Sequence, residues 1–316
     1  MTFCLINVKK LLNFRKKLVG MKFGKVESIK GIDFSLPPIK QETIEVLKKY
    51  HDEDVIFEVN VGGARWAKQE LKGFYPPKTK DELTYYSTQF NAIEMNGTFY
   101  SSPKKEQVIT WKNKTPSDFK FFPKVTQSIS HYSRLINVKE KLWTFLDAIT
   151  LFEEQLGIAF LQMHDNYKPK DFDRLQQFVE DFPKGYPFAI EVRNEEWFQD
   201  KAMFNCYAAL LEDHFITNVL VDTPGRRDLL HMRLTTPHLF VRFVSAYDPV
   251  DYERLDEWVE VIKQLKEEGL QSVNFFIHQL LTGEEELYAT YFTEKLNQEL
   301  GLDVRVPRVY RENLLF

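Results

Sequence analysis

Two hydrophobic rhythms alternate along most of this chain. Short apolar runs of strand length occur at Val55–Gly63, Phe119–Lys124, Gly157–Met163, Pro187–Val192, Thr217–Asp222, His238–Val244 and Ser272–His278, and another opens the stretch Phe90–Tyr100. Between them lie segments with apolar positions at helical spacing: Lys80–Phe90, Pro103–Lys114, Val138–Gln155, Lys170–Phe182, Lys201–His214, Asp251–Glu268 and Glu284–Leu300. Gln41–Tyr50 is a further helical segment ahead of the first strand. Each gap between strands has room for one helical crossover, the connection that parallel strands require. This alternation predicts an α/β fold, a single parallel (β/α)8 TIM barrel. A doubly wound sheet would want a glycine fingerprint that is missing. The barrel is expected over residues 55–303, behind an extension and lead-in helix at 1–54 and ahead of a tail at 304–316.

Strand parity then sorts the polar residues. In Phe90–Tyr100, Ala92, Glu94 and Asn96 share one face while Ile93 and Met95 share the other. An acid and an amide on an inner face need partners, because burying an unpaired charge is expensive. Phe188–Trp197 repeats the arrangement with Ala189, Glu191 and Arg193. Active sites of such barrels lie at the C-terminal strand ends, and polar residues collect there. The first strand offers Glu58 and Asn60, then Arg65 and Trp66; the second offers Glu94, Asn96 and Tyr100. Lys124 follows with Ser130, His131 and Arg134, then Gln162 with His164, then Glu191 and Arg193. Asp222, Arg242, Asn274 and His278 complete the circuit.

Glu94 and Glu191 with Lys124, Arg193 and Arg242 form a charge-balanced set. Such a set can hold a small polar or anionic molecule and can tune a carboxylate or a lysine for proton transfer. In this reading Glu94 or Glu191 is the general base and Lys124 or His131 the acid or electrophilic partner. Arg193 and Arg242 anchor an anion, and Asn96, Tyr100, Gln162 and Trp197 complete the binding wall. Glu94, Glu191 and His131 could meet at a divalent metal, but no tight ligand spacing supports one, so no metal site is assigned. No motif names a cofactor. Plain structural readings stand beside these. Glu191 and Arg193 can form an internal salt bridge, Asn96 can satisfy backbone, and Trp66 and Trp197 can simply pack. His164-Asp165-Asn166 reads as a turn, and His278 as a satisfied histidine at a strand end.

Composition narrows the partner classes. The 316 residues are 43% hydrophobic with 27 Phe and 14 Tyr, enough for a large aromatic core. A net charge of −4 gives no bulk attraction for nucleic acid or anionic membrane. No run approaches the roughly 18 apolar residues of a membrane span. Two cysteines, Cys4 and Cys206, belong to no paired motif, which suits a reducing cytoplasm. Residues 1–20 hold five basic residues and no acid, but the apolar run Phe3–Val8 is too short for a signal core. Met21 reads as an alternative start, which makes residues 1–20 an upstream extension.

Several stretches together resemble a known family. They are Gly73-Phe-Tyr-Pro76, Tyr85-Tyr86, Phe90–Tyr100, Trp111 with Thr115-Pro116 and Phe119, Ile129-Ser-His131, Gln162, Ala189–Arg193 with Trp197, and Val241-Arg242. In this order they resemble the YecE-like family, the domain of unknown function 72. The resemblance runs from about Phe57 to Gly301 and implies a TIM barrel loosely described as related to sugar isomerases. Where that family usually reads Arg-Leu-His-Gly, this chain has Arg242-Phe-Val-Ser245, and the usual Phe-Asn-Asn is replaced by Phe276-Ile-His278. After Gln162, His164-Asp165 stands where the family carries prolines. The leading expectation is a barrel that binds or transforms a small polar metabolite, a sugar or sugar phosphate, with isomerase-like or hydrolase chemistry. The alternatives are a barrel acting on nucleic-acid phosphodiesters through Trp66, Tyr100, Trp197, Lys124, Arg134 and Arg193, and a non-catalytic binding barrel.

Overall fold

The structure is a computed structural model that describes residue 24, residues 26–279, residue 281 and residues 287–310. The expected extension at 1–20, the alternative start at Met21, the opening of the last helix at Glu284 and the tail beyond residue 310 lie outside the described residues.

The strands are β1 (Glu58–Gly63), β2 (Ala92–Met95), β3 (Lys120–Pro123), β4 (Ala159–Gln162), β5 (Phe188–Glu191), β6 (Thr217–Asn218), β7 (Leu220–Asp222), β8 (His238–Val244) and β9 (Ser272–His278). Every pairing between them is parallel. One sheet runs β3-β2-β1-β9-β8-β7 and the other β4-β5-β6. Isolated parallel bridges Phe121–Leu156 and Lys124–Phe160 join β3 to the β4 segment. Only Val219 separates β6 from β7, and its N–H donates to the Ile190 carbonyl at 3.0 Å. The chain is thus an α/β fold of alternating helices and parallel strands.

The α-helices are α1 (Gln41–Lys49), ahead of β1, and α2 (Glu82–Gln89), α3 (Lys105–Asn113), α4 (Lys139–Ile149), α5 (Phe172–Glu180), α6 (Glu196–Gln199), α7 (Lys201–Asp213), α8 (Val250–Glu267) and α9 (Tyr288–Leu300), while the connection from β7 to β8 carries only a 3-10 turn, Arg227–Leu229. Local chemistry sets several of their ends. Asp81 caps α2 by accepting from the Thr84 N–H, and Asp200 caps α7 by accepting from Ala202 and Met203. Gly301 ends α9 at φ 64°, the left-handed conformation that glycine adopts without strain.

Two boundaries depart from the hydrophobic pattern. The first strand begins at Glu58 rather than Val55, because its partner β9 starts at Ser272, which pairs with Glu58; Ile56 is left 88% exposed. The helix expected through Gln155 stops at Ile149 and tightens into a 3-10 segment, Thr150–Gln155, with Glu153 at φ 52°. Buried Gln155 draws the chain inward there, its side-chain amide donating to Thr115 Oγ1 at 3.0 Å and to the Pro116 carbonyl at 2.5 Å.

Burial follows strand parity. Outward residues such as Val61, Ile93, Leu161, Ile190, Val241 and Phe275 join one large core with helical residues such as Tyr86, Phe145, Tyr207, Trp258 and Phe292. Inward residues Ala92, Phe122, Phe160, Ala189, Val219, Val221, Phe240 and Phe276 form a second, smaller core. Its rings pack at steep angles, Phe122 edge to face on Phe276 at 4.7 Å and Phe160 tilted by 54° against Phe240 at 5.4 Å between centroids. Small neighbours make room for this phenyl layer. At Gly62 the Ala92 carbonyl comes so near that an added Cβ would sit 2.3 Å away, so only glycine fits.

The observed facing also corrects part of the expected site. Asp222 faces outward, where Arg254 donates at 2.6 Å and the Trp258 indole at 2.9 Å, with Arg227 also bonded. It fastens α8 to β7 rather than facing the interior. Asn60 and Asn274 do face inward but lie below the phenyl layer, hydrogen-bonded to each other at 3.0 Å. They belong to the opposite end of the strands from Glu94.

Candidate functional site

Above the phenyl layer the C-terminal strand ends deliver charge. Arg242 on β8 is the hub. Its Nε and Nη2 donate to the two oxygens of Glu94 on β2 at 2.9 and 2.8 Å, while Nη1 donates to Glu191 Oε2 on β5 at 2.8 Å. One guanidinium thereby holds two carboxylates from different strands, a use that suits arginine's fixed fork of donors. Arg193 adds a bond from Nε to Glu191 Oε1 at 2.5 Å. His278 on β9 meets Glu94 Oε2 through Nε2 at 3.0 Å. All these groups are buried except Arg193, which is half-buried.

Two amides link this frame to a lysine. The Gln162 side chain on β4 donates to both Glu191 oxygens at 2.9 Å, which turns its carbonyl toward Lys124 Nζ at 2.7 Å. The Asn96 amide donates to Glu94 Oε1 at 2.7 Å, and its carbonyl lies 3.5 Å from the same Nζ. A carboxylate can only accept, so each carboxylate fixes which way its amide points. Lys124 is 7% exposed, lies 4.3 Å from the Phe99 ring centroid and 5.9 Å from that of Phe160, and makes no ion pair among the described residues. Its backbone is tied to β2 by Thr98, whose hydroxyl donates to the Lys124 carbonyl at 2.7 Å.

Electrostatics separates these groups. Burial works against ionising Glu94, but Arg242 and His278 outweigh it and hold the carboxyl well below the usual range. Glu191 follows the same balance, burial overcome by Arg193 and Arg242, and reaches about 2. Burial, reinforced by Arg242 and Arg193, pushes Lys124 down to about 7 despite the two carboxylates. Burial also lowers His278 against the pull of Glu94, so it is neutral at pH 7 and donates its Nε2 proton. Near neutrality the frame is two carboxylates against two guanidiniums, with a lysine poised between charged and neutral.

Seven of the expected residues therefore share one network: Glu94, Asn96, Lys124, Gln162, Glu191, Arg193 and Arg242. His131 lies at its edge, half-buried in a single π-helical turn, Ser128–Tyr132, after β3. The His131 ring lies 4.9 Å from those of Phe99 and His164, its Nδ1 is 2.8 Å from Ser130 Oγ, and burial with His164 and Lys124 lowers it to about 4. The loop that follows holds Arg134, Leu135 and Asn137 at positive φ, unusual for residues with a side chain.

Three expected residues stand apart from the network. Tyr100 is 73% exposed, with its ring edge to face against Phe99 at 5.5 Å. Trp197 is fully buried with its indole N–H on the Tyr167 carbonyl at 2.8 Å, so it supports the site from behind. Arg134 is held by Asn166 at 2.8 Å and Asp171 at 3.3 Å. Phe99 and Phe160, which the sequence reading passed over, wall the lysine; Phe160 could have been found by parity, two residues before Gln162. Among the described residues no three His, Cys, Asp or Glu side chains gather as a metal ion requires, and no helix is long and apolar enough to cross a membrane.

Fold and site together define an α/β protein of parallel strands that carries a buried charge network at its C-terminal strand ends. The chain belongs to the family described as Protein of unknown function DUF72, whose model matches residues 60–310. It is 24% identical over 201 residues to the UPF0759 protein YecE of Escherichia coli, covering 58% of this chain and 74% of that one. The UPF0759 protein YunF of Bacillus subtilis is 26% identical over 154 residues, 44% of this chain and 52% of YunF. Among solved structures, a DUF72 family protein from Enterococcus faecalis superposes with a TM-score of 0.60 at 19% identity, over 78% of this chain and 99% of that one. A DUF72 family protein from Thermotoga maritima gives 0.57 at 24% identity, over 78% of this chain and 100% of that one.

Proposed function

We propose that the parallel strands close into an eight-stranded (β/α)8 barrel and that its C-terminal mouth binds a small polar metabolite of the sugar or sugar-phosphate class. Lys124 is the proton-transfer residue in this reading. The bridge between Lys124 and Phe160 and the continuity of β6 and β7 through Val219 support closure. So does the meeting of side chains from β2, β5 and β8 on one guanidinium.

The observation that carries the functional reading is the placement of Lys124. It is a nearly buried amine that meets amide carbonyls and phenyl faces instead of a carboxylate, and it is depressed to about 7. A group that titrates near the working pH exchanges protons most effectively. Glu94 and Glu191, first considered as bases, have their oxygens occupied by arginine, amide and imidazole donors and are strongly acidic. They are better suited to hold Arg242 and the two amides in position. The near-neutral frame favours a hydroxylated ligand of low charge, with Arg193 at the rim as the anchor for an anionic group.

Calorimetric titration with a panel of aldoses, ketoses and their phosphates tests this. At least one should bind, and Lys124→Met should weaken it by about tenfold, the scale of one lost polar contact of ~1.4 kcal/mol. Equal binding by the variant, or no binding by any member, would refute the reading. The nucleic-acid alternative has less support, since Arg134 is already paired and Trp197 is buried. Turnover of a bound ligand separates an enzyme from a binding barrel.

A further inference from the structure

We infer that Lys124 acts as a covalent nucleophile, condensing with the open-chain aldehyde or ketone of its ligand to form a Schiff base. This rests on the reading above that a small metabolite enters at Lys124 and adds that the ligand presents a carbonyl carbon.

A neutral amine has two N–H donors and one lone pair. Around Nζ stand two acceptors, Gln162 Oε1 at 2.7 Å and Asn96 Oδ1 at 3.5 Å. Neither amide can present its NH2 group instead, because Gln162 donates to Glu191 and Asn96 to Glu94. Two acceptors engage both N–H bonds and leave the lone pair for attack. Phe99 and Phe160 limit water around the amine, and this desolvation, with Arg242 and Arg193 nearby, lowers it to about 7 and favours its neutral form far more than that of an ordinary lysine. The other charged groups facing it, Glu94 and Glu191, stay ionised, and His131 stays neutral.

The step balances without an added reagent. The lone pair forms a C–N bond as the carbonyl π electrons move to oxygen, and one amine proton transfers to that oxygen to give a carbinolamine. The hydroxyl then leaves as water with the second amine proton as C=N forms. The sum is amine plus carbonyl giving imine plus water.

Reductive trapping tests the inference on the full chain. The protein is incubated at pH 7 with dihydroxyacetone, glyceraldehyde or pyruvate and sodium cyanoborohydride, and each lysine's modification rate is read by peptide mass spectrometry. Ordinary lysines at ~10.4 are almost wholly protonated at this pH, so Lys124 should react at least about tenfold faster than they do, after allowance for its restricted access and weaker basicity. Its rate should saturate with carbonyl concentration and level off above about pH 7 to 8, and prior denaturation should abolish the preference. Modification of Lys124 no faster than surface lysines with all three probes would overturn the Schiff base. If the titration panel nevertheless binds and Lys124→Met weakens it, the metabolite reading survives alone; if binding is also absent, both fall.

Discussion

Arg242→Met removes the cation that spans Glu94 and Glu191. Three charge-assisted bonds of 2.8–2.9 Å disappear into a site where both carboxylates are at most 1% exposed. Breaking one buried pair by removing a partner costs roughly 3–5 kcal/mol, because the remaining charge stays buried. Two features moderate the loss. Glu191 keeps Arg193 and Gln162, and Glu94 keeps Asn96 and His278, which can take up a proton once Arg242 is gone. The expected destabilisation is therefore about 3–5 kcal/mol at pH 7, near the cost of one broken pair rather than two.

The pH dependence gives the sharper test. In the native protein Glu191 sits at about 2 against an ordinary 4.5, so its share of stability, about 3 kcal/mol, is present above 4.5 and lost as pH falls toward 2. In the variant Glu94 loses its chief counter-charge, and burial then raises its folded value above the unfolded one. Such a group stabilises fully below its unfolded value and loses that contribution as pH rises through its folded value. The gap between variant and native protein should therefore widen between pH 4.5 and pH 7. Urea denaturation followed by circular dichroism at both pH values measures it. The double variant Glu94→Gln with Arg242→Met, which lacks the stranded charge, should recover about 1 kcal/mol or more at pH 7. A penalty below about 1 kcal/mol, or one that does not change with pH, would refute the view that Arg242 neutralises buried carboxylates.

Two further outcomes follow. A lysine held near 7 instead of 10.5 penalises the folded state fully below pH 7, and the penalty fades as pH rises toward 10.5. Lys124→Met should therefore raise stability at pH 6 by on the order of several kcal/mol and by less at pH 9, in the pattern of a functional residue kept at a cost to folding; a variant less stable at pH 6 would contradict the assigned environment. Gly62→Ala drives a Cβ against the Ala92 carbonyl where β1 meets β2, and should lower stability by about 1–3 kcal/mol in the same denaturation assay, with no loss counting against the contact.

Much of the fold was legible because it depends on short-range periodicity. Two-residue alternation put Ala92 on one face with Glu94 and Ala189 on one face with Glu191, and the structure keeps both alanines in the inner core beneath those carboxylates; the same rule, carried to Phe122, Phe160 and Phe276, would have found the phenyl layer. Family membership was also readable, since the run from Gly73 to Tyr100 lies within the matched region. Parity alone misjudged height and facing. It put Asn60 and Asn274 with the site although they lie at the other end of their strands, and it could not turn Asp222 outward onto Arg254.

Roles were less legible than membership, and the reason is physical. A residue's acidity depends on burial and on charges delivered by strands distant in the chain. Sequence determined that Glu94, Glu191, Lys124 and Arg242 are present on strands of fitting parity. Only tertiary structure decided that Arg242 would join both carboxylates, that Gln162 and Asn96 would turn their carbonyls to the lysine, and that Lys124 rather than either glutamate would titrate near pH 7.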